Sequence, residues 1–357
     1  MTAKIKTISY AELVNSLLAN LPEREREVIQ KRNALASFAK HTLEEIGEQY
    51  NITRERVRQI EREGLRKLLN LDYEKEKLPV NDIQALVSEY LQTHGGLMAE
   101  NHLIEKMLTG QKAEEEKALN FILAYILAEK FERIGDLDNY QVIWKLEEVD
   151  LDKVINIATI LKEIIVKNGE PLHLEDLIDQ FEDNEYFEAV DKIPADNKAI
   201  LEAWLRIRSD VDRNILGQWG LIDWNTIKPK RMTDKAYLVL LKEGKPLHFT
   251  EVADLINQAN FDHKKACPAT VHNELILDDK YVLIGRGIYA LRDWGYQEGT
   301  VSDIIANILQ TKGPLAKKDI MEEVLKQRLV QKTTVILALM NKDKFSRSED
   351  GRYIPVK

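Results

Sequence analysis

The chain has 357 residues, 44% hydrophobic and 31% charged, with a net charge of −9; that is too long for one small core and ordinary in composition for globular domains. No run of eighteen apolar residues is present, so no membrane span is expected, and the opening stretch MTAKIKTISYAELVNSLLANL lacks the apolar core and cleavage site of a signal peptide. A single cysteine, Cys267, excludes an internal disulfide and fits a reducing, cytoplasmic compartment.

Taken in order, residues 1–20 predict a short helix, Tyr10 to Ala19, with Leu13, Leu17 and Leu18 on its apolar side. Asn20-Leu21-Pro22 starts a second, with Pro in the tolerated first turn, in which Val28 and Ile29 face inward. Thr42 to Leu69 reads as two helices joined by a tight turn. Thr42 and Glu45 have the spacing of a capping box, and Leu43 and Ile46 supply an apolar side. Gly47 leaves room for a partner helix to approach. Asn51 is a turn former, and Thr53 caps the second helix. There Val57, Ile60, Leu65 and Leu68 recur at helical spacing and predict a buried stripe. Arg54, Glu55, Arg58, Gln59 and Arg62 fall on the opposite side. A helix-turn-helix with a basic, amide-bearing second helix is the type that places N-terminal residues on base edges in the major groove.

Asp72 to Pro79 is charged, ends in Pro and reads as a linker. Beyond it lies a weak repeat. Four times a helix ends in a Gly-containing turn followed by a leucine, at Leu97, Leu172, Leu247 and Leu315, spaced by 75, 75 and 68 residues. Each leucine is expected to face inward and to be followed by an amphipathic helix and, later, a hairpin pattern. The clearest hairpin is KYVLIG, a turn at Arg286-Gly287, then IYALRDW. Helices followed by a hairpin in about seventy residues form a winged helix. The expected class is therefore mainly α, a helix-turn-helix domain followed by tandem winged helices with small β-hairpin wings. The expected division is an N-terminal helix at 1–20, the helix-turn-helix at 21–70, a linker at 71–79, and winged-helix units at 80–150, 151–228, 229–297 and 298–357.

Net charge is uneven along the chain. Leu21 to Asn70 holds 11 Lys+Arg against 9 Asp+Glu, and Leu71 to the end 38 against 50, so +2 stands against −12. Asn51 to Asn70 alone is +3. Phosphate attraction is expected at the reading helix.

LPEREREVIQKR, TLEEIG and ITRERVRQIEREGLRKLL together resemble region 4 of the sigma-70 family of bacterial RNA polymerase sigma factors, over about residues 21–69. Gly64 stands where the family usually has Ala. The resemblance implies that Arg54, Glu55 and Gln59 meet base edges of a promoter −35-like element. The chemistry is consistent, because Arg pairs with guanine O6 and N7, Glu accepts from cytosine N4, and Gln pairs with adenine N6 and N7. Arg56, Arg58 and Arg62 are expected on phosphates, and Thr42 and Thr53 offer hydroxyl or backbone N–H groups to phosphates at the helix starts. The resemblance also implies docking on the polymerase flap through an apolar side around Leu35, Phe38 and Leu43. No counterpart of the family's promoter-melting region 2 is expected, because the stretch before Leu21 is short.

Residues 229–297, through KPLHFTEVADLI and PATVHNELILDDKYVLIGRGIYALRDWGY, resemble the HARE-HTH family, which includes the N-terminal domain of the RNA polymerase delta subunit. Members of that family are seen as bridges between transcription, chromatin or restriction systems and DNA. His272 and Asn273 in its candidate reading helix and Arg286 in its wing are secondary DNA-binding candidates; the alternative is a purely structural helix. His173 and His248 occupy equivalent repeat positions, which argues for helix caps. The histidines show no metal-ligand spacing, and no phosphate-cradling Gly loop, nucleophile elbow or H-E-x-x-H is present.

The expected function is a DNA-binding, sigma-like bacterial transcription factor, not an enzyme, with no cofactor or metal. Its expected partners are double-stranded promoter DNA and RNA polymerase, with no membrane and no small-molecule substrate, and its expected place is the cytoplasm, at the nucleoid. Two alternatives stay open: an acidic winged-helix scaffold for protein interaction, and a DNA-recognition subunit of a restriction or repair system.

Overall fold

The computed structural model describes residues 9–36, 38–108, 113–328, 330–348 and 350–356. It is mainly helical with small antiparallel sheets. Among the described residues no helix is long and apolar enough to cross a membrane. The chain divides into two compact units, with the break between Asp212 and Arg213. That break falls inside the segment 151–228 expected as one winged helix. A physical reason is visible at Ile215, which packs against the core of the next winged helix well before residue 229.

The first unit begins with α1 (Tyr10–Ala19), capped by the Ser9 hydroxyl, which accepts from the Glu12 N–H. Helices α2 (Glu23–Arg32), α3 (Leu43–Tyr50) and α4 (Arg54–Leu69) follow. Val28, Ile46, Val57 and Ile60 form their common core, with Leu43, Tyr50 and Ile52 packed at its edge. Gly64, rather than Leu65, completes the buried side of α4, because a Cβ there would lie 2.9 Å from the Ile29 side chain. The close approach at Gly47 is also to a different neighbour than expected: a Cβ would lie 2.7 Å from the Ile52 carbonyl oxygen, so this glycine makes room for the turn and not for a helix.

Next come α5 (Val80–Thr93), β1 (Leu97–Ala99), α6 (Glu100–Met107), α7 (Ala113–Phe121) running into a π-helical turn (Ile122–Ile126), β2 (Glu132–Ile134) and β3 (Ile143–Lys145). The strands form an antiparallel sheet in the order β1-β3-β2, the arrangement of a winged helix. The helix-turn-helix does not stand apart from it. Helix α1 packs on α7, and α4 touches the π-helical turn. Glu115 of α7 accepts from the Ser9 hydroxyl and from the backbone N–H groups of Tyr10 and Ala11, at 2.7, 2.6 and 3.1 Å. A carboxylate at the positive end of α1 satisfies donors that no helical carbonyl reaches.

The remainder of this unit holds α8 (Leu151–Asn168), α9 (Leu174–Phe181), α10 (Phe187–Asp191), α11 (Asn197–Arg206) and the start of β4 (Val211–Arg213). Arg208, 6% exposed, ties it to the preceding winged helix. Its guanidinium donates to Asp210 at 2.7 Å, to the Tyr140 hydroxyl at 3.0 Å and to Thr159 at 3.3 Å. Asp210 also accepts from Lys162 at 2.7 Å, so the buried charge is paired.

The second unit continues with β5 (Trp219–Leu221), then α12 (Met232–Glu243), β6 (Leu247–His248), α13 (Phe249–Ala259), α14 (Pro268–Leu277), β7 (Tyr281–Gly285) and β8 (Ile288–Leu291). The sheet order β6-β8-β7 repeats the winged-helix topology. Its core gathers Val239, Leu240, Leu247, Val252, Ile256, Val271, Leu275 and Tyr289. A last group, α15 (Val301–Lys312), α16 (Lys317–Gln327), α17 (Lys332–Leu339), β9 (Phe345–Arg347) and β10 (Tyr353–Pro355), closes over Ile304, Ile305, Ile308, Ile320, Val324 and Val335. Of the four repeat leucines, Leu97 and Leu247 are buried, while Leu172 and Leu315 are only partly covered. Leu315 instead exchanges backbone hydrogen bonds with Tyr353.

Candidate nucleic-acid interface

The interface is built by two caps and a turn. The Thr42 hydroxyl accepts from the Glu45 N–H at 3.2 Å, and the Glu45 carboxylate accepts from the Thr42 N–H at 2.7 Å. That backbone hydrogen bond holds the Glu45 carboxyl below the usual range. Asn51 sits in the left-handed region at φ 53°, which ends α3 and turns the chain. The Thr53 hydroxyl then accepts from the Arg56 N–H at 3.2 Å and starts α4. Behind the turn, Tyr50 donates to Glu27, and Lys31 lies over the Tyr50 ring at 4.8 Å, which locks α3 against α2.

The outer side of α4 presents Arg54, Glu55, Arg56, Arg58, Gln59 and Arg62, all exposed, as are Thr42 and Thr53. In the free protein some of these groups pair with one another. Arg58 forks onto Glu55 at 2.6 and 2.9 Å, and Arg56 donates to Gln59 at 3.0 Å. The hydrogen bond from Arg58 lowers the Glu55 carboxyl below its ordinary range, so it is ionised at neutral pH. Both pairs are open to solvent and therefore weak. They preorient the long side chains while leaving them open to solvent.

The secondary candidates separate. His272 is half-buried, with Nδ1 2.9 Å from the Tyr289 hydroxyl and its ring 4.6 Å from Phe249, which in turn lies 4.3 Å from His248. That aromatic run fixes the orientation of a half-buried imidazole. Asn273 and Arg286 remain exposed. His173 and His248 are both N-cap residues, and His248 forms a capping box with Glu251. Of the residues expected at a polymerase contact, Leu35 is 4% exposed and Leu43 packs on the domain core. Phe38 is half-buried beneath Lys31. The residue that sequence reasoning missed is Glu115. It lies in the run Glu114-Glu115-Glu116, where nothing distinguishes the one that caps a helix about a hundred positions away.

Residues 17–69 match the family model described as sigma-70, region 4. Over 57 residues the chain is 47% identical to the RNA polymerase sigma factor SigA4 of Synechococcus elongatus, a match covering 16% of this chain and 18% of that protein. Over 60 residues it is 45% identical to the RNA polymerase sigma factor RpoD of Neisseria gonorrhoeae, covering 17% of this chain and 9% of that one. The chain thus spans less than a fifth of the length of either relative. The match begins four positions before Leu21, inside α1, so the N-terminal helix expected as a separate piece is partly included. The helix-turn-helix that opens this chain is a sigma-70 region 4 domain.

Proposed function

We propose that this chain is a sequence-specific DNA-binding transcription factor that lays α4 in the major groove of a promoter −35-like element and engages RNA polymerase to modulate initiation. The observation that carries the reading is the outer side of α4: six exposed polar or charged side chains, Arg54 to Arg62, on a helix capped at both ends within a region 4 domain. In this reading Arg54, Glu55 and Gln59 read base edges, while Arg56, Arg58 and Arg62 hold phosphates, helped by Thr42 and Thr53 at the helix starts. Before base contact the Arg56–Gln59 hydrogen bond opens, freeing the amide for adenine. RNA polymerase is engaged through surfaces other than the buried Leu35.

The two roles predict different defects. Losing one good base pairing costs about 1–3 kcal/mol of discrimination. Arg54→Ala is therefore expected to relax the sequence preference in a selection from randomised duplexes. Arg62→Ala is expected to weaken all sequences alike and to reduce the slope of log affinity against log salt by about one. An Arg54→Ala protein that selects the same sequence as the parent would overturn the base-reading role.

A further inference from the structure

The four repeat turns differ at one place. Three carry a single glycine, in GEPL, GKPL and GPL, while the first, before Leu97, carries two, Gly95 and Gly96. Both have left-handed backbone, at φ 75° and 79°. Neither position has room for a side chain. A Cβ on Gly95 would lie 2.8 Å from the Ile200 side chain and 2.9 Å from the indole nitrogen of Trp204, and one on Gly96 would strike Val149. The turn therefore lies directly against α11 and the segment leading into α8.

Beside that contact, within the first unit, is a cavity of about 590 Å³, a size typical of small-molecule sites. Gly95, Gly96 and Trp204 line it with Leu146, Val149 and Ile193. At its opening stand Glu148 and Asp150, both exposed, and Lys153, partly covered. One polar atom in this lining is unmet. Trp204 is 3% exposed, and its indole N–H has no hydrogen-bond partner among the described residues. Trp144, as deeply buried, donates to Glu100 at 2.9 Å, which is how a buried indole is ordinarily satisfied. An unmet buried donor carries its full desolvation cost. At the wall of an apolar cavity it marks where an acceptor is missing.

We propose that this cavity binds a neutral, largely apolar small molecule whose single carbonyl acceptor takes the Trp204 N–H. The apolar lining holds the body of the ligand, and the indole fixes its polar end. In the free protein the N–H is shielded from water, so the acceptor reaches it by a small turn of the indole toward the cavity. Neutrality follows from charge. Two acids stand against one base at the opening, and residues 71–212 hold 15 Lys+Arg against 32 Asp+Glu, which opposes an anion. The first winged helix supplies Gly95, Gly96 and Leu146, and the helical segment after it supplies Val154, Ile193 and Trp204, so the occupant bridges the two.

Heteronuclear NMR of the full chain, labelled at its tryptophan indoles, tests this. The signal missing from Trp204→Phe identifies Trp204. Three two-ring probes are compared: benzophenone, which has the carbonyl; diphenylmethane, which lacks it; and para-benzoylbenzoate, which adds a negative charge. Benzophenone is expected to move the Trp204 indole proton downfield in a saturable way and to move no other indole signal comparably. The other two probes are each expected to bind about tenfold more weakly, the scale of one lost hydrogen bond or one opposed charge. Ala189→Phe, which fills the cavity from α10, is expected to abolish the shift while circular dichroism matches the parent. Should that variant unfold, the three probes on the parent chain decide alone. A Trp204 signal unmoved at the solubility limit of benzophenone overturns the proposal. So does binding of diphenylmethane or para-benzoylbenzoate as tight as that of benzophenone, which would mean unselective adsorption or a site for anions.

Discussion

At the scale of single residues, Gly47 and Gly64 have the same apparent role and opposite tolerances. Both are helical and buried, and a Cβ at either would fall under 3.0 Å from a neighbour. The neighbour decides the outcome. At Gly47 it is the Ile52 carbonyl oxygen, part of the turn that sets the angle between α3 and α4. Backbone there has nowhere to move, and overpacking of this kind costs about 1–3 kcal/mol. At Gly64 it is the Cδ1 tip of Ile29, which yields by a change of rotamer, while Ala in place of Gly within a helix gains about 1 kcal/mol. Gly47→Ala is therefore expected to destabilise the domain and weaken DNA binding. Gly64→Ala is expected to leave stability unchanged or raised by up to about 1 kcal/mol, with DNA binding intact. Urea denaturation followed by circular dichroism, with binding anisotropy alongside, checks both. An equal loss from the two substitutions would mean that Ile29 has no alternative position.

At the scale of elements, what was legible followed from local chemistry, and what was not depended on distant contacts. The capping box at Thr42, the cap at Thr53 and the turn at Asn51 are set by neighbouring residues, so the reading helix and its exposed side chains were readable in order. The hairpin β7-β8 was equally open to view, because Arg286-Gly287 sits between two alternating apolar runs; the third strand, β6, which pairs with β8, was not. The depth at which each repeat leucine lies was not. Leu247 is 4% exposed and inside the core with Val239 and Leu275, whereas Leu172 is only partly covered. His272 is a further case. Its sequence position suits base reading, but the contacts with Phe249 and Tyr289 that half-bury its ring come from α13 and β8 and could not be read locally. A buried Leu cut to Ala costs about 2–5 kcal/mol. Leu247→Ala is accordingly expected to melt the second unit early in a thermal scan without loss of DNA binding, and Leu172→Ala to lower the first unit's transition by much less. A Leu172→Ala loss as large as that of Leu247→Ala would mean that the loop before α9 closes over it.

At the scale of the whole molecule, the two compact units redraw the charge map. Everything after residue 70 sums to −12. Divided at the structural break, residues 71–212 hold 15 Lys+Arg against 32 Asp+Glu, or −17, and residues 213–357 hold 23 against 18, or +5. The net negative charge is thus confined to residues 71–212, which share a unit with the region 4 domain. A strongly negative neighbour does little to a helix held by base contacts, but it opposes the nonspecific phosphate attraction on which weak complexes depend. The second unit has the reverse balance: excess positive charge, with only Asn273 and Arg286 exposed among its candidate reading residues. A fragment of residues 1–212 is therefore expected to keep the full chain's preference for promoter over scrambled duplex, because it retains both α4 and the Glu115 cap that anchors α1. A fragment of residues 213–357 is expected to bind both duplexes weakly and equally, and to release them as salt rises. Fluorescence anisotropy in a salt titration, with the two duplexes in parallel, separates these behaviours. Discrimination by the second fragment and none by the first would move sequence reading from α4 to α14 and its wing.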